Sequence, residues 1–208
     1  MKYTTIITDL DRTLLKTDKS ISNYTISILK QCKEKGMNII VASARPLRNI
    51  DEYNKLIGFD ALVVSNGARI IKNNNIIEYK IPFNSGSKIL ELLNDNELQI
   101  TVETGDEAYS NVKLEYFQTT VTQDLLDVLK NKGSLKMVVA IKDENTNNLV
   151  KTKLDEEVYS TIANNSVIQI MSKKATKWSG VEKILKLSNI DSSKCIYFGD
   201  DFDDIEPI

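Results

Sequence analysis

Short unbroken apolar runs alternate with helical stripes along this chain, and that alternation organises its first third. Tyr3-Thr4-Thr5-Ile6-Ile7-Thr8 reads as a strand that stops at Asp9. From Asn23 to Lys35 the apolar positions Ile26, Leu29 and Cys32 share one helical face, with Ser22 as N-cap, Ile21 as staple and Gly36 as stop. Ile39 to Ala42 carries no polar interruption, the pattern of a strand buried on both faces, as in a parallel sheet. Ser43-Ala44-Arg45 closes that run, and Pro46 predicts the first turn of a helix reaching about Ile57, with Gly58 beyond it. A third strand is expected at Ala61-Leu62-Val63-Val64, ending in Ser65-Asn66-Gly67. Strand, helix, strand, helix, strand is the order of a doubly wound α/β domain, in which ligands bind beyond the carboxyl ends of parallel strands. Asp9, Ser43 and Asn66 all follow such ends and should gather in one crevice.

The middle of the chain has a different texture. Arg69 to Tyr79 predicts a hairpin with its tip at Lys72 to Asn75, and Ser85 is placed as the cap of a helix carrying Ile89, Leu90, Leu92 and Leu93. Strands are expected at Gln99 to Val102, near Ala108, at Lys136 to Ile141 and at Val167 to Met171, and helices at Thr122 to Asn131 and Asn147 to Ala163. No polar cluster recurs at these strand ends, so residues 82–171 read as an inserted α+β domain, with 1–81 and 172–208 forming the core. The last segment returns to the first pattern. A helix carrying Val181, Ile184, Leu185 and Leu187 follows Lys173-Lys174-Ala175-Thr176-Lys177-Trp178, and the strand Lys194 to Phe198 ends in Gly199-Asp200-Asp201-Phe202-Asp203-Asp204.

Composition narrows the chemistry. The chain has 208 residues, 41% hydrophobic and 27% charged, with a net charge of −2, which leaves no electrostatic footprint for nucleic acid. It has neither an apolar run of roughly 18 residues to cross a membrane nor a secretory signal, so a cytoplasmic setting is expected, with Cys32 and Cys195 as buried free thiols. It contains no histidine, which excludes Ser-His-Asp and Cys-His mechanisms and histidine-based zinc sites. Catalysis must run on carboxylates, lysine, hydroxyls and hard cations.

Asp200, Asp201, Asp203 and Asp204 after a buried strand repel one another unless a cation neutralises them. Oxygen ligands imply a hard metal, and Mg²⁺ suits a site with few protein ligands. Asp9 and Asp11 fall at the same end of the same expected sheet. A carboxylate free to attack, Mg²⁺, the Ser43 hydroxyl and a lysine together suit a phosphoryl group. Of Lys173, Lys174 and Lys177, the last stands at the helix start, from which its ammonium reaches inward. Arg45 either meets substrate or pairs with an acid, and Asn66 either shapes its turn with Gly67 or touches ligand. Trp178 reads as packing.

Asp9-Leu10-Asp11-Arg12-Thr13-Leu14, Ser43-Ala44-Arg45, Lys177 and Gly199-Asp200-Asp201-Phe202-Asp203-Asp204 resemble the four ordered motifs of the haloacid dehalogenase-like superfamily. The hairpin, the Ser65-Asn66-Gly67 turn and the insert between the second and third motifs resemble its Cof-like, type IIB sugar-phosphatase branch. The resemblance implies a Rossmann-like core with a type C2 cap at 82–171. It implies Asp9 as nucleophile, Asp11 as general acid and base, and Ser43, Ala44 and Lys177 as the phosphate cradle. It also implies Mg²⁺ on Asp9, the Asp11 carbonyl and Asp200, with Asp203, Asp204, Asn66 and Arg45 in support. The expected activity is hydrolysis of small phosphorylated metabolites, sugar phosphates foremost. A phosphomutase of the same branch is the alternative within the family, and an interaction protein is the one outside catalysis. A receiver-type signalling domain fits less well, because Asp9 and Asp11 share one turn and an insert is present.

Four positions depart from the family pattern. Arg12 and Ala44 replace glycines, Asp203 replaces asparagine, and Pro207 replaces methionine. Arg12 crowds its turn if that turn needs a positive φ, and Asp203 adds negative charge beside the metal. Relatives usually continue through further strands and a helix, so an end at Ile208 implies a short form or a sheet edge covered by a partner.

Overall fold

The computed structural model describes residues 2–115 and 117–204; Pro207 and Ile208 lie outside them. The chain forms two compact units, one of Met1–Glu78 with Ala175–Ile208 and the other of Tyr79–Lys174.

In the first unit, β1 (Thr5–Thr8), β2 (Asn38–Ala42), β3 (Ala61–Val64), β4 (Arg69–Lys72), β5 (Asn75–Glu78) and β12 (Cys195–Phe198) form one sheet, ordered β12-β1-β2-β3-β4-β5. The first four of that order run parallel, and β4 and β5 close it as an antiparallel hairpin. The unbroken apolar runs become strands covered on both faces. One face packs Ile39, Val41, Leu62 and Val64 with Leu29 of α1 (Asn23–Glu34) and Ile57 of α2 (Asp51–Ile57). The other face is crossed by α6 (Lys177–Ser188), whose Gly180 lies so close to Val63 that a Cβ there would stand 2.3 Å from Val63 Cγ1. Helices on both faces of a parallel sheet make this the doubly wound α/β architecture expected.

Three local expectations in this unit change. The helix expected from Pro46 is split into a 3₁₀ turn, Leu47–Asn49, and α2, because Pro46 stays extended at ψ 160° and only caps the turn. Both cysteines are free, as expected, but half-buried. Leu187, expected on the packed stripe of α6, is 54% exposed.

The second unit carries β6 (Ile100–Glu103), β7 (Ala108–Ser110), β8 (Thr120–Val121), β9 (Lys136–Ala140), β10 (Val158–Ala163) and β11 (Val167–Ser172), ordered β10-β11-β9-β6-β7-β8. All pairs are antiparallel except β7 with β8. Helices α3 (Phe83–Asp95), α4 (Leu125–Lys132) and α5 (Thr146–Lys151) cover one face, packing Ile89, Leu93, Leu129 and Val150 against Ile100, Val102, Met137, Val139 and Ile170. Ser85 does not cap α3, which starts earlier, after Pro82 with φ −57°, leaving Ser85 buried inside its first turn. The helix expected over 147–163 ends at Lys151, and β10 occupies 158–163. Val150, Leu154, Val158 and Ile162 recur every four residues and imitate a helical stripe. The β-branched residues from Val158 onward instead pair with β11, after a turn in which the Asp155 carboxylate accepts the Glu157 N–H at 2.9 Å. Among the described residues no helix is long and apolar enough to cross a membrane.

Candidate active site

The carboxyl ends of β1, β2, β3 and β12 lie side by side, so the polar turns that follow them share one edge of the first unit. Asp9 directly follows β1, and its N–H continues the ladder by donating to the Phe198 carbonyl at 2.9 Å. The chain then turns tightly, with the N–H groups of Thr13 and Leu15 both donating to the Leu10 carbonyl at 3.3 and 2.7 Å. Arg12 sits at φ 59°, so the turn does need the left-handed conformation that glycine adopts most readily.

Lys177 is placed by its helix start. Thr176 and Ser179 form a capping box, each hydroxyl accepting the other residue's N–H at 3.0 Å, which fixes Lys177 as the first residue of α6. Gly67 lies against that cap at φ 89°, where a Cβ would come within 2.0 Å of the Thr176 carbonyl oxygen. The buried ammonium of Lys177 donates to Asp9 Oδ1 at 3.2 Å and to Asp204 Oδ1 at 2.9 Å. Burial opposes its charge, but Asp9 and Asp204 overcome that and hold its pKa above the ordinary lysine value. Burial acts on Asp9 too, raising its carboxyl from 3.8 to about 6 against the pull of Lys177.

Asp204 is saturated by protein donors. Its Oδ1 accepts from Lys177 and from the Tyr197 hydroxyl at 2.6 Å, and its Oδ2 faces the N–H groups of Asp200 and Asp201 at 3.3 and 3.2 Å. It therefore ties the acidic loop to α6 and β12. Asp200 is exposed and accepts the Thr13 hydroxyl at 3.3 Å. One oxygen each from Asp9, Asp200 and Asp204 lies within 4.8 Å of the others, an all-oxygen donor set that fits a hard divalent cation.

The Asp11 side chain points elsewhere. Arg45 Nε and Nη2 donate to its two oxygens at 2.7 and 2.8 Å, and Lys19 Nζ donates to Oδ1 at 2.7 Å. Arg45 and Lys19 hold its carboxyl at about 2. The Arg45 guanidinium also lies 5.6 Å from the centre of the Tyr53 ring, whose hydroxyl donates to the Lys19 carbonyl at 3.0 Å. Of the two readings of Arg45, the structure has it paired with an acid. Ser43 is buried, with its hydroxyl accepting the Arg45 N–H at 3.3 Å, and Ala44 stands half-buried between them. The loops after β2 and β3 are joined by Asn66 N–H to Ser43 carbonyl and Ser65 N–H to Arg45 carbonyl bonds of 3.1 and 2.9 Å. Asn66 shapes its turn at φ 57° and donates through Nδ2 to Asp203 Oδ2 at 3.2 Å, while burial raises the Asp203 carboxyl. Trp178 is half-buried.

Sequence reasoning missed Lys19, Tyr53, Thr13 and Tyr197. Lys19 and Tyr53 meet only because a loop closes at Lys19 with φ 65°, and no spacing signals that. Tyr197 was readable in principle, as a hydroxyl two residues before Gly199 in an otherwise apolar strand.

A buried lysine between two carboxylates, with a third carboxylate beside them at the carboxyl end of a parallel sheet, defines a phosphoryl-transfer class of site. Residues 6–207 match the haloacid dehalogenase-like hydrolase family, and the chain belongs to it. The chain is 24% identical over 230 residues to a Haemophilus influenzae protein provisionally named a phosphatase, spanning 99% of this chain and 82% of that protein. It is 23% identical over 221 residues to the 5-amino-6-(5-phospho-D-ribitylamino)uracil phosphatase YitU of Bacillus subtilis, spanning 97% of this chain and 81% of that protein. The fold matches a haloacid dehalogenase-like hydrolase from Bacteroides thetaiotaomicron with a TM-score of 0.88 at 20% identity, over 100% of this chain and 85% of that one. It also matches a subclass IIB sugar phosphatase with a TM-score of 0.83 at 18% identity, over 97% and 82%. Relatives that carry phosphatase names are thus among the proteins it resembles, and the family match itself makes the chain a haloacid dehalogenase-like hydrolase.

Proposed function

We propose that the chain is a Mg²⁺-dependent phosphomonoester hydrolase of the cytoplasm, acting on small phosphorylated metabolites, sugar and polyol phosphates among them. The observation that carries the reading is the Lys177 ammonium held between Asp9 and Asp204 with Asp200 alongside. In this reading the first unit is the catalytic core, and residues 82–171 act as the cap that selects the leaving group.

The substrate's phosphoryl oxygens are taken by the Lys177 ammonium, the Ser43 hydroxyl and the loop at Ala44. An oxygen of Asp9 attacks phosphorus, the bond from phosphorus to the leaving oxygen breaks, and Asp11 gives that oxygen a proton. Water then attacks the phosphorus of the aspartyl-phosphate and yields its proton to Asp11, which releases inorganic phosphate and restores Asp9. Asp9, Asp200 and the Asp11 carbonyl would hold Mg²⁺, with Asp204 and Asp203 supporting them, and when bound the cation neutralises charge on the phosphoryl oxygens and on Asp9. Arg45 and Lys19 have to leave Asp11 before it can carry a proton, because a carboxylate under three charge-assisted hydrogen bonds is ionised.

The test is phosphate release from p-nitrophenyl phosphate and from a panel that includes hexose phosphates and a ribitylamino-pyrimidine phosphate, with Mg²⁺ and with EDTA. Turnover should require Mg²⁺ and disappear in Asp9→Asn. Folded wild-type protein no faster than Asp9→Asn on every substrate would end the reading.

A further inference from the structure

The contacts around Asp11 leave one positive charge over. Arg45 Nε and Nη2 donate to its two oxygens at 2.7 and 2.8 Å and Lys19 Nζ donates to Oδ1 at 2.7 Å, so two cations share one carboxylate. Among the described residues Asp11 is the only acid paired with either. Neither cation depends on Asp11 alone for its place. The Tyr53 ring lies 5.6 Å from the Arg45 guanidinium, and the Tyr53 hydroxyl donates to the Lys19 carbonyl at 3.0 Å, so one side chain of α2 positions both. The Arg45 backbone is fixed as well, its N–H on Ser43 Oγ at 3.3 Å and its carbonyl accepting the Ser65 N–H at 2.9 Å. Two cations held together in this way remain an anion site when Asp11 turns away. The site can be reached from solvent, since the Asp11 and Lys19 side chains are 37% and 55% exposed.

In the reaction proposed above, Asp11 serves the leaving oxygen only after Arg45 and Lys19 release it. A neutral alcohol portion offers the two cations no replacement, so three charge-assisted bonds are broken without return. A carboxylate on the alcohol portion exchanges one planar two-oxygen acceptor for another, with Arg45 taking both oxygens through Nε and Nη2 and Lys19 taking one. Hydrogen-bond lengths set the reach. A leaving oxygen about 2.8 Å from the Asp11 carboxyl lies within about 5–6 Å of the Arg45 nitrogens, a span that a carboxylate one or two carbons along the alcohol portion covers.

We propose that Arg45 and Lys19, positioned by Tyr53, form a carboxylate-binding subsite that selects phosphomonoesters of hydroxy acids, the substrate's carboxylate displacing Asp11 from its two cations and freeing it to act. The proposal rests on the phosphatase reading and narrows its substrate class. 3-Phosphoglycerate and glycerol 3-phosphate share one carbon skeleton and differ in carrying a carboxylate or a hydroxymethyl group. For wild type, kcat/KM should favour 3-phosphoglycerate by about tenfold to a hundredfold, the range expected for hydrogen bonds to charged groups. Lys19→Met should cut that ratio by about fivefold or more, because the acid loses a partner while the neutral substrate meets a weaker hold on Asp11. Lys19→Arg should restore most of it. Tyr53→Leu should lower the ratio too, as a positioning residue would. A wild-type ratio near one, or a ratio that Lys19→Met leaves unchanged, would overturn the subsite.

Binding separates this outcome from failure of the phosphatase reading. Asp11→Asn leaves Arg45 and Lys19 without their carboxylate, whereas Asp9→Asn leaves them paired. In calorimetric titrations with Mg²⁺, the preference for 3-phosphoglycerate over glycerol 3-phosphate should therefore be about tenfold greater in Asp11→Asn than in Asp9→Asn. If wild type hydrolyses no phosphomonoester while this difference holds, the hydrolase reading falls and the subsite stands. If phosphomonoesters are hydrolysed and the binding difference is absent, the two cations only restrain Asp11 and the subsite falls.

Discussion

Replacing Asp9 with asparagine should make the metal-free protein more stable while destroying its activity. Burial raises the Asp9 carboxyl from 3.8 to about 6, so the folded state resists its ionisation even beside Lys177. A group with a raised folded pKa gives its full stabilisation below the unfolded value and loses it as pH climbs through the folded one. The window is therefore pH 4 to 6, and at neutral pH the folded state carries the whole penalty. The shift of about two units is worth about 3 kcal/mol. Asparagine imitates the neutral acid in size and leaves Lys177 its bond to Asp204, so most of that difference should appear as a gain. Urea unfolding in EDTA at pH 7 should show Asp9→Asn more stable by about 2–3 kcal/mol, and the gap should close toward pH 4. Added Mg²⁺ should narrow it at pH 7 by stabilising the wild type alone. If asparagine costs stability at pH 7, or its gain does not depend on pH, Asp9 is not the strained carboxylate described.

Three further substitutions probe the surroundings. Arg45→Met frees Asp11 from two of its three charge-assisted bonds, so turnover of alkyl phosphates, whose leaving oxygen needs a proton, should rise relative to p-nitrophenyl phosphate; equal losses on both would assign Arg45 to phosphate binding instead. Its stability cost at pH 7 should stay below about 1 kcal/mol, since Asp11 is partly exposed, and should fade as pH drops from 3.8 toward 2, where the depressed carboxyl protonates. Gly67→Ala combines a φ of 89° with a Cβ 2.0 Å from the Thr176 carbonyl oxygen, so it should lower the urea-derived stability by about 3 kcal/mol or more and displace the cap that aims Lys177. Tyr197→Phe removes one of four donors from Asp204 and should cost about 1–2 kcal/mol in the same assay, with an unchanged value showing that the Tyr197 bond contributes nothing net.

These residues also mark where sequence reasoning reached and where it stopped. Ile39 to Ala42 and Ala61 to Val64 were legible as strands because both faces are covered, so no polar residue interrupts them. The polar turns were legible as a group for the same reason, since parallel strands deliver their carboxyl ends to one edge. Edge and turn features were not. Strand β10 is only partly covered, so its residues are free to imitate a helix with a four-residue apolar repeat. The clamp on Asp11 depends on side chains from three separate segments meeting around a loop with positive φ at Arg12 and Lys19. Long side chains reach across such loops without leaving any periodic trace.

Asp9 and Asp11 lie two residues apart, yet their surroundings drive their acidities in opposite directions, to about 6 and about 2. Divergent carboxyls usually reveal which is the acid and which the ionised partner. Taken at face value, this pair would make Asp9 the proton carrier and Asp11 the ionised group, the reverse of the proposed mechanism. The geometry shows what has to change. Burial makes Asp9 costly to ionise, and it shares its lysine with Asp204, so a divalent cation held by the oxygens of Asp9, Asp200 and Asp204 would favour its ionised, attacking form. Asp11 is held ionised by Arg45 and Lys19, both cationic and therefore both open to competition from an incoming phosphate dianion. In the proposed mechanism the same two events that assemble the reactants would move both acidities toward their working values, tying the reactive form of the pair to the loaded site.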